Sequence, residues 1–320
     1  QAAYASAKAG LFGLTRVTEP PLGTLPPMGD RDLGYFGPDS VSWQVHREVT
    51  VLFGGARALL LQAAHPLVIA GARATGFYER NPWKRLQRTL LLTYTMTFGS
   101  KAAAHAAADK INEIHTRIKG IDDITGQPYD ALDPDLLLYV HAALVDSALL
   151  FEELTVGKLD AAGRERFHEE QKLAAELCLV PRDIIPPTVA DLRAYLASKE
   201  EQGILMVTDA ARTVAGLFEH PPAEADWRPV LRVVSKLAFA TLSPELRAAY
   251  GFELTPARRA AMRATLRTMK MTRPFLPARY RYIAPYWEWL LRQQGKEPPG
   301  IVDDAMRSVG IRLPAKDATP

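Results

Sequence analysis

Cysteine is almost absent from this chain: Cys178 is the single one in 320 residues. That excludes an internal disulfide and any zinc site built on several thiolates, and it suits a reducing compartment. Long uncharged apolar runs are scarce too. The best candidate for a membrane span, 49–72, contains Arg57, Gln62, His65 and Pro66, and charge inside a span is costly. Several catalytic signatures are missing: there is no His-Glu-x-x-His, no Gly-x-Ser-x-Gly elbow and no phosphate loop. One Glu-x-x-His match, Glu165 to His168, lacks the second copy that a helical di-iron carboxylate site needs. A net charge of only +3 gives no global argument for nucleic acid. No secretory signal is visible, and the expected location is cytoplasmic, with peripheral membrane contact as an option.

What is present is ordinary globular composition, 48% hydrophobic and 23% charged, in a chain long enough for one large core or two smaller ones. Residues 18–39 are rich in proline and glycine, so 1–38 reads as an N-terminal arm or linker. Residues 39–295 read as one domain and 296–320 as a polar tail. Helical spacing of apolar residues begins after Asp39 or Ser40, either of which can cap. Gly54-Gly55 is expected to thin this helix so that another packs close. Pro66 is expected to kink the chain, leaving the Gln62 carbonyl free near His65.

Further helices are expected from Pro82, from Lys101 to a left-handed cap at Gly120, and from Asp133-Pro134 to about Leu154. Six more follow between 161 and 294. The class expected is all-α, with helices too many and too uneven for a four-helix bundle.

Several polar side chains interrupt these apolar stripes. His115 shares a face with Ala108, Ile111 and Ile118, so its imidazole is expected to point inward. His141 lies among Leu137, Leu138, Leu144 and Val145, and His65 among Leu61, Val68 and Ile69. Two readings stand for each: a core histidine bonded to a carbonyl, or a ligand to a metal or haem iron. Asp146 falls off the His141 face and is expected to satisfy an arginine or a helix end. Arg85 and Thr89 lie one turn apart, with Arg88 beside them. An arginine there suits a buried carboxylate or a surface position equally. His46 and His105 are expected at the surface or in a supporting role.

From Leu254 to Trp287 there is no acidic residue, whereas Arg259, Arg263 and Arg267 repeat every four positions. That pattern reads as a solvated helix face, or as a peripheral membrane contact through 256–273.

Two resemblances follow from the motifs. Tyr4-Ala-Ser-Ala-Lys8, within residues 1–16, resembles the active-site helix of short-chain dehydrogenases. No Gly-rich strand-to-helix turn precedes it, so it is given no function. Over about 35–290 the chain resembles the MpaB-like and rubber oxygenase catalytic domain, a family that includes the latex-clearing proteins. The resemblance rests on Ser40 to His46, Leu-Leu-Leu-Gln-Ala-Ala-His65-Pro66, Asn81 to Thr89, Phe98-Gly99, Ile114 to Gly120 and Val140 to Ser147.

That resemblance implies an all-helical fold with a globin-like core, one b-type haem with its iron, and dioxygen acting on an apolar, isoprenoid-like alkene. It implies His115 as iron ligand, Arg85 and Thr89 as catalytic companions, and Arg88 as a further cofactor contact. His65 is implied as a distal base and His141 as a haem neighbour. The carboxylate base of rubber oxygenases has no match here, which puts polyisoprene itself in doubt as substrate. The alternative is a helical protein that binds haem or lipid without turnover. Oligomeric state is not legible.

Overall fold

The computed structural model describes residues 32–75, 82–219 and 228–301, with side chains for all of these except 82–88. The dehydrogenase-like segment at Tyr4 and Lys8 lies outside the described residues. The first helices are α1 (Val41–His46), α2 (Val49–Leu52), α3 (Gly54–Ala64) and α4 (Pro66–Ala74). A helical hairpin follows, α5 (Pro82–Phe98) and α6 (Lys101–His115), and then a short β-hairpin, β1 (Lys119–Ile121) with β2 (Pro128–Asp130). The remaining helices are α7 (Pro134–Thr155), α8 (Ala161–Leu177), α9 (Val189–Glu201), α10 (Asp209–Glu219), α11 (Arg228–Ala240), α12 (Pro244–Ala249), α13 (Pro256–Thr272), α14 (Ala278–Arg281) and α15 (Ala284–Gln293). The class is all-α; the single sheet among the described residues is that two-stranded hairpin, antiparallel with Lys119 opposite Asp130.

Side-chain caps set many of the starts. Ser40, Ser100, Asp133, Asp160, Thr188, Ser243 and Thr255 each accept a backbone N–H from the first turn, each worth roughly 1 kcal/mol. Asp133-Pro134 opens α7 as its sequence indicates, with Asp133 Oδ1 accepting from Asp135 and Leu136.

Three local expectations are corrected. The helix expected from residue 41 onward divides into α1, α2 and α3. Glu48 is extended at the first break (φ −82°, ψ 123°), and its carboxylate is drawn into a buried ion pair with Arg273. The C-terminal segment pairs with the same break, Ile283 N–H donating to the Arg47 carbonyl at 2.9 Å.

Pro66 does bend the chain as expected, but at a break between two helices and not by a kink within one. It starts α4 after a bend of 98°. His65 is extended between the two helices, and its own N–H donates to the Gln62 carbonyl at 3.2 Å, so that carbonyl is not left free.

Gly120 is not a left-handed helix cap, because α6 already ends at His115. Gly120 pairs with Tyr129 in the β-hairpin, where a Cβ would come within 2.7 Å of the tyrosine hydroxyl oxygen.

Helix α7 is the axis of the fold, and α2, α3, α8, α9 and α13 all pack on it. Gly54 permits the closest of these approaches: a Cβ there would stand 2.6 Å from the Ser147 carbonyl oxygen. The α5–α6 hairpin packs chiefly on itself, with α5 also meeting α1 and α15. By length and composition α7 could cross a membrane, as could the bent stretch 49–74. Yet 67% of the apolar window of α7 is buried by the surrounding helices.

Candidate active site beside the central helix

On α7 His141 is half-buried, and its enclosed Nε2 has no hydrogen-bond partner. Burial, and then the nearby charge of His168, push its pKa down to about 3. The imidazole is therefore neutral. One turn on, Leu144 is 40% exposed, although Ala142, Ala143 and Val145 around it are buried. So the face of α7 carrying His141 and Leu144 is not closed by packing, in the middle of the fold's most enclosed helix.

His46 is half-buried and turned inward, which sets aside the surface position and leaves the supporting role as the remaining reading. Its ring lies 5.4 Å from Phe167 and 6.1 Å from Tyr94 between centroids. Burial lowers its pKa to about 4, partly offset by a hydrogen bond with Gln171, and its Nε2 is unbonded. The sequence held a signal for this: His46 is three positions after Trp43, which is 1% exposed. Tyr94 belongs to α5, and burial raises its pKa, so it remains a phenol.

His115 is the last residue of α6 and half-buried. It stands at the rim instead of inside the core, because the helix stops before Ile118 can extend the expected stripe. One turn earlier, Asn112 Nδ2 donates to the Leu177 carbonyl at 2.9 Å, holding this end of α6 to the end of α8. Helices α5 and α6 are joined through Gly99 and Ser100 and run antiparallel. The backbone turn holding Arg85 and Arg88 is therefore at the His115 end of the hairpin. The side chains of Arg85 and Arg88 lie outside the described residues; Thr89 is exposed.

His65 is elsewhere. Its ring is 4.9 Å from that of Tyr139, whose hydroxyl donates to the Leu61 carbonyl at 2.8 Å. Its Nδ1 is unbonded. Burial first, then Lys199, lower its pKa to about 4, against the pull of Asp135 and Asp133. Tyr139 and His141 are two positions apart, about 200° around a helix. The structure thus sets His65 and His141 on opposite sides of α7 and does not bring the three histidines into one cluster.

Other polar groups nearby are engaged at least in part. Asp146 pairs with Arg57 at 2.8 Å and Arg193 at 3.0 Å, the arginine partners its position called for. His168 Nε2 bonds the Pro186 carbonyl at 2.8 Å. His105 is exposed and meets the Tyr35 hydroxyl. The Cys178 thiol is pushed up to about 11 by burial, so it offers no thiolate. Sequence reasoning missed Glu48, buried with Arg273 and close to Arg281, since nothing local links positions so far apart.

Among the described residues no group of three or more His, Cys, Asp or Glu could hold a bare metal ion. The donors on offer are single neutral imidazoles. The family model for the ER-bound oxygenase mpaB/B'/rubber oxygenase catalytic domain matches residues 43–271. The chain belongs to this family. Neither a search of curated proteins nor one of solved structures returns a match. The match takes in α1 through α13 almost entirely, and so includes His46, His65, Arg85, Thr89, His115 and His141. The family is one of oxygenase catalytic domains, so oxidation is the class of chemistry that membership supports.

Proposed function

We propose that this oxygenase-family chain holds one b-type haem between the α5–α6 hairpin and the His141 face of α7. There it uses dioxygen to oxidise an apolar alkene of isoprenoid type. One observation carries the proposal: an enclosed, unbonded imidazole nitrogen on half-buried His141, beside a half-exposed leucine in the middle of the central helix. Buried polar groups are nearly always satisfied, and an orphan in an open apolar face points to a missing partner.

The donor set fits the group. Imidazole in its neutral form suits iron, and an iron carried by a macrocycle needs only one or two protein ligands. The burial that keeps His46 and His141 neutral also keeps them in the ligating form. When bound, haem supplies dioxygen binding and the redox chemistry.

The chain's own residues take the remaining tasks. His115, on the rim, is the residue that would hold the iron, and Asn112 fixes the end of its helix. Arg85 and Arg88, at the same end of the hairpin, would pair with the carboxylates of the cofactor. Thr89 orients a ligand or a water. Leu144 and the aromatic pair Tyr94 and Phe167 keep water from an apolar substrate. His141 and His46 offer free ring nitrogens on the open side. His65 can take a proton at Nδ1 only from a substrate that reaches the far side of α7.

Titration of the purified protein with hemin tests the cofactor: a Soret band saturating at one equivalent supports the reading, and no band removes it. Oxygen uptake on adding an isoprenoid alkene to the loaded protein tests the activity. A band without uptake supports a haem carrier in place of an oxygenase.

A further inference from the structure

Helix α13 has two different faces. Met262, Leu266 and Met269 turn inward onto Phe53 and Phe151. Ala260, Ala264, Thr268 and Met271 face away, with Arg259, Arg263 and Arg267 along one flank, all of them exposed. At its end the chain turns through Pro274 and presents Phe275 at 86% exposure and Leu276 at 40%, next to Met271 at 61%. Large apolar side chains so exposed, three within six residues, mark an interaction surface.

This corner is held firmly. Arg273, two residues before Phe275, is buried and bonds Glu48 through Nε at 2.9 Å. The apolar tip therefore projects from a fixed point. The arginines beside it are uncommitted: none of Arg259, Arg263 and Arg267 has a hydrogen bond or carboxylate partner among the described residues. Arg258 and Lys270, in contrast, donate to the Glu253 and Glu153 carbonyls. No acidic residue lies between 254 and 287.

We propose that this corner docks the protein on an anionic lipid bilayer. Phe275, Leu276 and Met271 enter the boundary between headgroups and acyl chains, and Arg259, Arg263 and Arg267 meet the lipid phosphates. Charge complementarity selects the partner's sign, and the apolar tip selects its kind. A nucleic acid would take the arginines but leave three exposed apolar side chains in water, and the net charge of +3 supplies no broad attracting field. The inference is independent of the cofactor. It deepens the proposed function in one respect, since an isoprenoid alkene partitions into the phase this surface touches.

The test is cosedimentation of the full chain with sucrose-loaded vesicles at low ionic strength. On phosphatidylcholine containing about a third phosphatidylserine, binding is expected to exceed that on pure phosphatidylcholine by about tenfold or more. It should weaken as salt is added. Reversing charge in Arg259→Glu/Arg263→Glu/Arg267→Glu should abolish that preference. Phe275→Ser/Leu276→Ser should weaken binding about tenfold while leaving the salt dependence in place. Unchanged melting temperatures in both variants show that the surface alone was altered, because Phe275 and the three arginines are exposed and Leu276 is only partly covered. Equal binding to both vesicle types, no binding to either, or capture by duplex DNA in preference to vesicles overturns the proposal. Hemin uptake is read separately, so failure of docking and failure of the cofactor reading remain distinct.

Discussion

Two neighbouring stretches of α7 treat buried polar groups in opposite ways. At Asp146 and Ser147 everything is closed: two arginines reach the carboxylate, and Arg57 also donates to the Ser147 hydroxyl at 2.8 Å. Farther along the same helix, Glu152 accepts the N–H groups of Lys158 and Leu159. At His141, little more than one turn before Asp146, the ring nitrogen is unbonded and the leucine beside it is 40% exposed. The helix is the same. The polar groups at Asp146 and Glu152 have their partners within the fold, whereas Nε2 of His141 is left open, and that nitrogen is what the proposed cofactor reading draws on.

Substitution should expose that difference at once. Asp146→Ala leaves Arg57 nearly enclosed, at 12% side-chain exposure, without its carboxylate, and a broken buried pair costs about 3–5 kcal/mol. Urea unfolding should show that loss. A cost below about 1 kcal/mol would mean that Asp146 is no more essential to the fold than His141.

A smaller cost is expected at Gly54→Ala, whose new Cβ meets the Ser147 carbonyl oxygen at 2.6 Å. Moving α3 off α7 should cost about 1–3 kcal/mol in the same assay. Gly55→Ala, with nothing near its Cβ, should be neutral or slightly stabilising. Equal effects at the two glycines would show that the close approach is not needed.

Those two sites were readable in advance. Helix spacing placed Asp146 off the His141 stripe and toward an arginine, and the Gly-Gly pair announced a close packing. Asp133-Pro134 and Ser40 marked their helix starts in the same way. Local pattern failed where a distant partner decides. Glu48 breaks the first helix because Arg273 and residues 282–283 come back to it. Pro66 becomes the start of a new helix because the chain turns through 98° there. His46 is turned inward because Tyr94 and Phe167 lie against it. The candidate site was legible as a set of residues but not as an arrangement: only the fold sets His65 and His141 on opposite sides of α7.

Acid should separate open from closed groups next. His46, His65 and His141 have pKa values lowered from 6.5 to about 4, about 4 and about 3. In the unfolded chain they take up protons below about pH 6.5, while in the folded protein they stay neutral. Stability is then fully present above that pH and declines as pH falls toward 4, by up to about 1.4 kcal/mol per pH unit for each histidine. His141→Leu should flatten the slope of unfolding free energy between pH 6 and 5 by about one proton. An unchanged slope would mean that His141 is not the neutral, enclosed group described here. At pH 7 the same variant should be mild. It removes an unsatisfied polar group and so shifts stability by less than about 1 kcal/mol, in contrast to Asp146→Ala.

The most direct measurement is the absorption spectrum of hemin-loaded protein, compared among wild type, His115→Ala and His141→Leu. The account predicts a Soret band in wild type, its loss or displacement in His115→Ala with recovery on adding free imidazole, and its retention with altered intensity in His141→Leu. A band that survives in His115→Ala and disappears in His141→Leu would contradict the ligand assignment. No band in the wild type would contradict the account as a whole.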